Sequence, residues 1–150
     1  MARYVKPTLN TKFHIDFRWW QESGRDLGVY LRHHLCPECP PEYVENARGR
    51  RIDWISQDTG EVFSLDALWD LIRTHCSQHP NYTSGQTSLV ASIFRLFIAN
   101  DNQPLTPHEI HQHLHKKSPE TILRTLGGRQ VYMGIRPVTY PQIRKQKMAA

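Results

Sequence analysis

The sequence predicts an α+β fold in two parts: an N-terminal module of helices and short strands braced at one corner, then a helical C-terminal unit. Three observations lead there. Two knuckle-like pairs, Cys36-Pro37-Glu38-Cys39 and Cys76-Ser77-Gln78-His79, lie in the first half. Short alternating stretches are interleaved with helical patterns in that half. Three helical patterns follow one another in the second half, before a final extended segment. The expected division is residues 1–80, residues 81–140 and a basic tail at 141–150.

The elements follow in order. Lys12 to Phe17 alternates and predicts a strand, and the aromatics Phe13, Phe17, Trp19 and Trp20 around it are expected in the core, with one of the two tryptophans nearer the surface. Asp26 to Leu35 predicts a helix, with Leu27, Tyr30, Leu31 and Leu35 on one stripe. Arg51–Ser56 and Glu61–Ser64 predict two strands around a turn ending at Gly60. Asp66 to His75 predicts a helix whose stripe is Leu68, Leu71 and Ile72. Asn81 to Thr87 is polar and predicts a linker or loop. Ser88 to Ala99 predicts a helix with a wide apolar face, Leu89, Ile93, Leu96 and Phe97 leading it. Thr106-Pro107-His108-Glu109 has the form of a capping box with proline at the first helical position. Ser118-Pro119-Glu120 starts a third helix, with Ile122, Leu123 and Leu126 inward and Gly127-Gly128 at its end. Gln130 to Val138 predicts a strand or tight hairpin around Gly134.

The three cysteines explain the braced corner. An odd number fits poorly with a secreted disulfide framework. Two side chains three positions apart can turn onto one ion where the backbone bends, and Pro37 disfavours a continued helix there. Each pair would close a predicted helix. Cys36, Cys39, Cys76 and His79 together supply four soft or borderline donors, the set that suits Zn2+ in a closed, structural site. His75, His33 and His34 are possible substitutes for His79. Two other chemistries fit these residues less well. Cys36 and Cys39 have the form of a redox dithiol, but no βαβ context surrounds them. Zinc deaminases combine H-x-E with P-C-x-x-C; here Asp16 stands for the glutamate, Leu35 for the proline, and Cys76 with His79 would be idle. No Gly-rich phosphate loop, nucleophile elbow or H-E-x-x-H is present, so no catalysis is expected.

Charge is uneven. Residues 1–79 carry a net −1 and residues 80–150 a net +6. A cationic half favours polyanions, because counterions released from phosphate chains drive binding.

The order of helix, short helix, turn, short helix and extended chain is that of a winged helix-turn-helix. Leu105-Thr106-Pro107-His108-Glu109-Ile110 followed by Ser118-Pro119-Glu120-Thr121-Ile122-Leu123-Arg124-Thr125-Leu126 resembles winged-helix transcription regulators, and the second stretch resembles the recognition helix of ferric-uptake-type repressors. In that family the winged helix precedes the zinc cysteines, whereas here it follows them, and the His-rich sensing motif beyond the wing is absent. The resemblance therefore implies a fold and a tendency to bind double-stranded DNA, not metal sensing. On that footing the third helix would enter the major groove, with Arg124 as the base contact and Thr121 and Thr125 beside it. Lys116, Lys117 and Ser118 would meet phosphates, Arg129 and Arg136 would reach backbone or minor groove, and Arg144, Lys145 and Lys147 would add non-specific attraction. The expected function is a DNA-binding transcription regulator with a structural zinc site. The alternative is a non-enzymatic adaptor that uses the winged helix for protein contact. His108, His111, His113 and His115 are dense enough to raise a second metal site or a pH response, with a polar helix face as the default. No apolar run approaches the ~20 residues of a membrane helix, and Met1 to Lys12 lacks a secretory apolar core, so a cytoplasmic location is expected.

Overall fold

A computed structural model describes residues 6–139. The chain begins with strand β1 (Phe13–Ile15), helix α1 (Phe17–Ser23), helix α2 (Leu27–Arg32) and helix α3 (Pro41–Ala47). Strands β2 (Arg51–Ile55) and β3 (Val62–Asp66), helix α4 (Leu68–Thr74) and a 3-10 turn (Cys76–Gln78) follow. Helices α5 (Leu89–Ala99), α6 (Pro107–Leu114) and α7 (Pro119–Leu126) lead to strand β4 (Ile135–Pro137). The architecture is mixed helix and strand, as expected.

Local chemistry sets most of these boundaries. Asp16, Asp26, Ser88, Thr106 and Ser118 each stand at a helix start and accept a backbone N–H of the first turn. The capping box at α6 is complete: Thr106 accepts from the Glu109 amide, and the Glu109 carboxylate accepts from the Thr106 amide. That bond holds the Glu109 carboxyl below its ordinary range. Helices α1 and α3 are absent from the sequence expectation. Aromatic density over 17–20 obscured the first, and two short turns with little apolar periodicity hid the second.

There are two small antiparallel sheets. β2 and β3 form the expected hairpin, with Arg51 opposite Asp66 and Ile55 opposite Val62. β1 pairs with β4 from the far end of the chain, Phe13 opposite Pro137 and Ile15 opposite Ile135. On its other edge, Phe13 exchanges backbone hydrogen bonds with Leu105, at 2.8 and 3.0 Å. Asn102 extends that edge with its side chain. Its Oδ1 accepts from the Ile15 amide at 2.8 Å, and its Nδ2 donates to the Ile15 carbonyl at 2.9 Å. A buried amide thus stands in for a strand residue and satisfies both backbone groups.

The segment around Gly134 turns tightly, with an isolated bridge between Tyr132 and Ile135. Gly134 has φ +74°, and a Cβ there would lie 2.5 Å from Trp20 Nε1. Trp20 docks on this turn by donating to the Met133 carbonyl at 3.1 Å. Of the two tryptophans Trp20 is buried and Trp19 half-buried. Phe13, Ile15, Trp69, Ile72, Ile93, Phe94, Phe97, Ile98, Ile110, Ile122 and Ile135 are fully buried in one contiguous core. That core draws on residues before and after position 80, and position 80 itself falls in the turn-rich stretch before α5.

Candidate metal centre and nucleic-acid interface

The Cys/His corner is built from two similar turns. After α2 the chain bends so that the Cys39 amide donates to the Cys36 carbonyl at 3.2 Å. After α4 the His79 amide donates to the Cys76 carbonyl, also at 3.2 Å. The turns meet: the Cys36 amide donates to Cys76 Sγ at 3.2 Å. Donor atoms of Cys36, Cys39 and Cys76 lie within 4.8 Å of one another, and so do those of Cys36, His75 and His79. Cys36 belongs to both sets. The cluster could bind a metal.

The electrostatics of the corner are set first by burial. Burial pushes the Cys76 thiol up to about 12, although the hydrogen bond from the Cys36 amide works against the rise. Burial, then Cys36, raises Cys39. Without a cation these sulfurs are neutral at physiological pH, and a bound divalent ion would reverse that by stabilising thiolates. The three thiols are free of disulfide bonds among the described residues. His75 Nε2 is buried and has no hydrogen-bond partner. Such an orphaned nitrogen costs free energy unless something accepts its lone pair or its proton. His79 differs: its Nδ1 lies 3.1 Å from the Glu38 carboxylate.

His33 and His34 stand outside the cluster, which corrects their candidacy as ligands. His33 is exposed. His34 is buried against Phe94, and its Nδ1 accepts from Arg95 Nε at 3.1 Å. Burial and the Arg95 charge lower the His34 imidazole to about 4. Arg95 also donates to the Tyr82 carbonyl at 3.2 Å, and the Tyr82 hydroxyl donates to the His34 carbonyl at 2.5 Å. This link fastens the first cysteine turn to α5. The sequence carried no local signal for it, because the partners are distant in the chain.

The residues expected at a nucleic acid divide into engaged and exposed groups. Lys116 turns inward, which departs from the expected phosphate role. Its ammonium donates to the Gly85 carbonyl at 2.8 Å, the Thr87 carbonyl at 3.0 Å and Ser92 Oγ at 2.7 Å. It joins the 85–87 loop to the start of α7. Ser118 caps α7, Thr125 Oγ1 donates to the Thr121 carbonyl, and Arg136 lies 3.6 Å from the Asp16 carboxylate. Lys117, Arg124 and Arg129 are exposed. Arg144, Lys145 and Lys147 lie outside the described residues.

The ring of His111 on α6 and that of His115 just after it approach to 5.8 Å, and His111 Nδ1 meets the Lys117 carbonyl at 2.6 Å. Among the described residues no third donor joins them to make a second metal cluster. An open polar cleft of about 230 Å³, lined by His14, Asp16, Arg18, Trp54, Glu61 and Arg136 among others, was not foreseen. Its walls come from α1 and all four strands, so no sequence spacing reports it. No described helix is long and apolar enough to cross a membrane.

These features define a mixed α+β chain with, among the described residues, one Cys/His cluster that could hold a metal. No protein-family model matches the chain, and neither a curated protein nor a solved structure matches it.

Proposed function

We propose that the chain is a non-enzymatic, cytoplasmic DNA-binding protein, a transcription regulator whose fold is braced by one structural Zn2+. The observation that carries the proposal is the meeting of two chain turns, each following a helix, at Cys36, Cys39, Cys76, His75 and His79. Three thiolates and one imidazole would close the site around Zn2+ with no open position, which favours a structural role over catalysis. Two imidazoles compete for the fourth place. The orphaned Nε2 favours His75. The pairing of His79 with Glu38 is the carboxylate support typical of a zinc-bound histidine, and the two-residue spacing of the knuckle favours it too. Free thiols suit the reducing cytoplasm.

The DNA-binding half rests on α5, α6 and α7 acting as a winged helix with β4 as its extended edge. α7 leaves Arg124 exposed beside Lys117 and Arg129. The adaptor reading has one observation in its favour: Ile55 and Val62, opposite each other on the β2–β3 hairpin, are 58% and 56% exposed.

Metal analysis of protein purified under reducing conditions tests the first half. One zinc per chain is expected, and its absence would overturn the ligand assignment. Binding to random-sequence duplex DNA that weakens steeply with salt is expected for the second half. A chain that ignores duplex DNA at low salt leaves the adaptor reading in its place.

A further inference from the structure

The chain as a whole has a net charge of +5. The cleft between the β1–β4 ladder and the tip of the β2–β3 hairpin has the opposite sign. Four carboxylates line it, those of Asp16, Glu22, Asp58 and Glu61, against the two guanidiniums of Arg18 and Arg136, a net −2.

Backbone geometry assembles these groups. Phe13 and Ile15 turn into the core, so His14 between them turns to the opposite face of β1. Arg136 stands directly opposite His14 in the ladder and shares that face. Asp16 follows β1 and caps α1, which sets its carboxylate 3.6 Å from Arg136. The hairpin supplies the far wall. Gly60 takes φ +76°, its amide donates to the Ser56 carbonyl at 2.8 Å, and this tight turn brings Asp58 and Glu61 to the cleft. Trp54 and Phe63 line it too, each packed on Phe17 with ring centroids at 5.0 and 5.6 Å.

Contacts within the cleft decide the sign of its ligand. Each guanidinium has a carboxylate beside it: Arg18 pairs with Glu61, and Arg136 with Asp16. An anion would have to compete with those pairs. A carboxylate has about four acceptor sites, so these contacts leave room for further donors. Burial lowers the His14 imidazole below its ordinary range, against the pull of Asp16 and Asp58. The ring is therefore neutral at physiological pH and offers one acceptor nitrogen. These acceptors are dispersed. Among the described residues no three of them lie within 4.8 Å of one another, as donors do at the Cys/His corner. A bare metal ion needs such convergence, whereas a molecule with N–H groups along its length does not. The volume, about 230 Å³, lies below the ~300 Å³ at which drug-sized sites begin, so the occupant is short.

We propose that this cleft binds a small organic cation, a primary amine or guanidinium compound, whose N–H groups donate to the Asp58 and Glu61 carboxylates and the His14 ring while its alkyl part lies against Trp54 and Phe63. The aromatic side adds cation–π attraction for the same charge. This site is separate from the Cys/His corner and independent of the DNA-binding reading.

The test is calorimetric titration of the full-length chain with diaminobutane and with butylguanidinium, and with succinate as an anion of similar length. Both cations are expected to bind at one site with a dissociation constant of ~1 mM or lower, within the reach of ligands this small. Succinate is expected not to bind. Asp58→Asn/Glu61→Gln makes the cleft neutral and should weaken both cations at least ~10-fold, through lost hydrogen bonds between charged groups. Glu42→Gln/Glu45→Gln, at exposed acids on α3 outside the cleft, should bind as the wild type does, and circular dichroism checks that each variant is folded. Backbone amide shifts of the wild type on adding diaminobutane need no variant, and are expected to cluster at residues 14–18 and 56–61. Absence of binding by both cations, preference for succinate, equal losses in the two double variants, or shifts centred elsewhere would each overturn the proposal. None of these results touches the metal or DNA readings, which have their own tests.

Discussion

Two polar regions of this molecule make opposite use of the same kind of residue. At the α6–α7 turn three polar side chains are engaged: Lys116 meets two carbonyls and the Ser92 hydroxyl, Ser118 caps a helix, and the His111 ring meets a carbonyl. At the corner between α2 and α4 the donors converge and one stays without a partner: three thiols crowd together, and His75 Nε2 is buried with no hydrogen bond. A saturated polar cluster is an internal joint. An unsaturated one, buried and rich in sulfur and imidazole, has the chemistry of a ligand site.

The largest test breaks the corner. Cys76→Ser should lose the metal and, because metal binding is coupled to folding, much of the roughly 5–15 kcal/mol that holds such a domain together. Thermal melts with and without chelator check this: the wild type should melt far lower with chelator, and the variant should not respond to it. His75→Ala and His79→Ala, compared in metal content, then separate the two imidazoles.

Asn102 probes a saturated joint in the core. Asn102→Ala removes both hydrogen bonds to the Ile15 backbone, so about 3 kcal/mol of stability should be lost by denaturant titration, with zinc content unchanged. Lys116→Met keeps the aliphatic stem and strands the Gly85 and Thr87 carbonyls. About 1–2 kcal/mol should be lost, with affinity for DNA intact. Lys117→Ala, at an exposed site, should do the reverse: stability within about 0.5 kcal/mol, and weaker binding to DNA of any sequence. Equal effects from the two lysines would erase the contrast between joint and surface.

The smallest test concerns the link between the regions. His34 is held near 4 in the folded chain, below its ordinary 6.5. Its neutral form is the one that accepts from Arg95, so its contribution is complete above about pH 6.5 and is lost as pH falls from there towards about 4, since the unfolded chain takes up the proton first. Allowing for solvent screening, the loss is roughly 1–2 kcal/mol. His34→Gln should flatten that part of the stability profile relative to the wild type.

Much of the candidate site was legible. The spacing of Cys36 with Cys39 and of Cys76 with His79 depends on local turns, and both turns form as the spacing implies. His75 gained weight only from its surroundings, because an orphaned nitrogen is a property of packing. Lys116 was misplaced for the same reason: a lysine before a helix start has one sequence signature whether it faces solvent or a loop carbonyl.

For the fold, the sequence by itself determined whatever rests on neighbours within about four residues. The caps at Ser88, Thr106 and Ser118, the apolar stripe of α5 and the β2–β3 hairpin closing at Gly60 are of this kind. Tertiary structure alone decided the pairing of β1 with β4 and the side chain of Asn102 acting as a strand. Each joins residues separated by most of the chain. Their proximity follows from how the shared core closes, and no local periodicity encodes it.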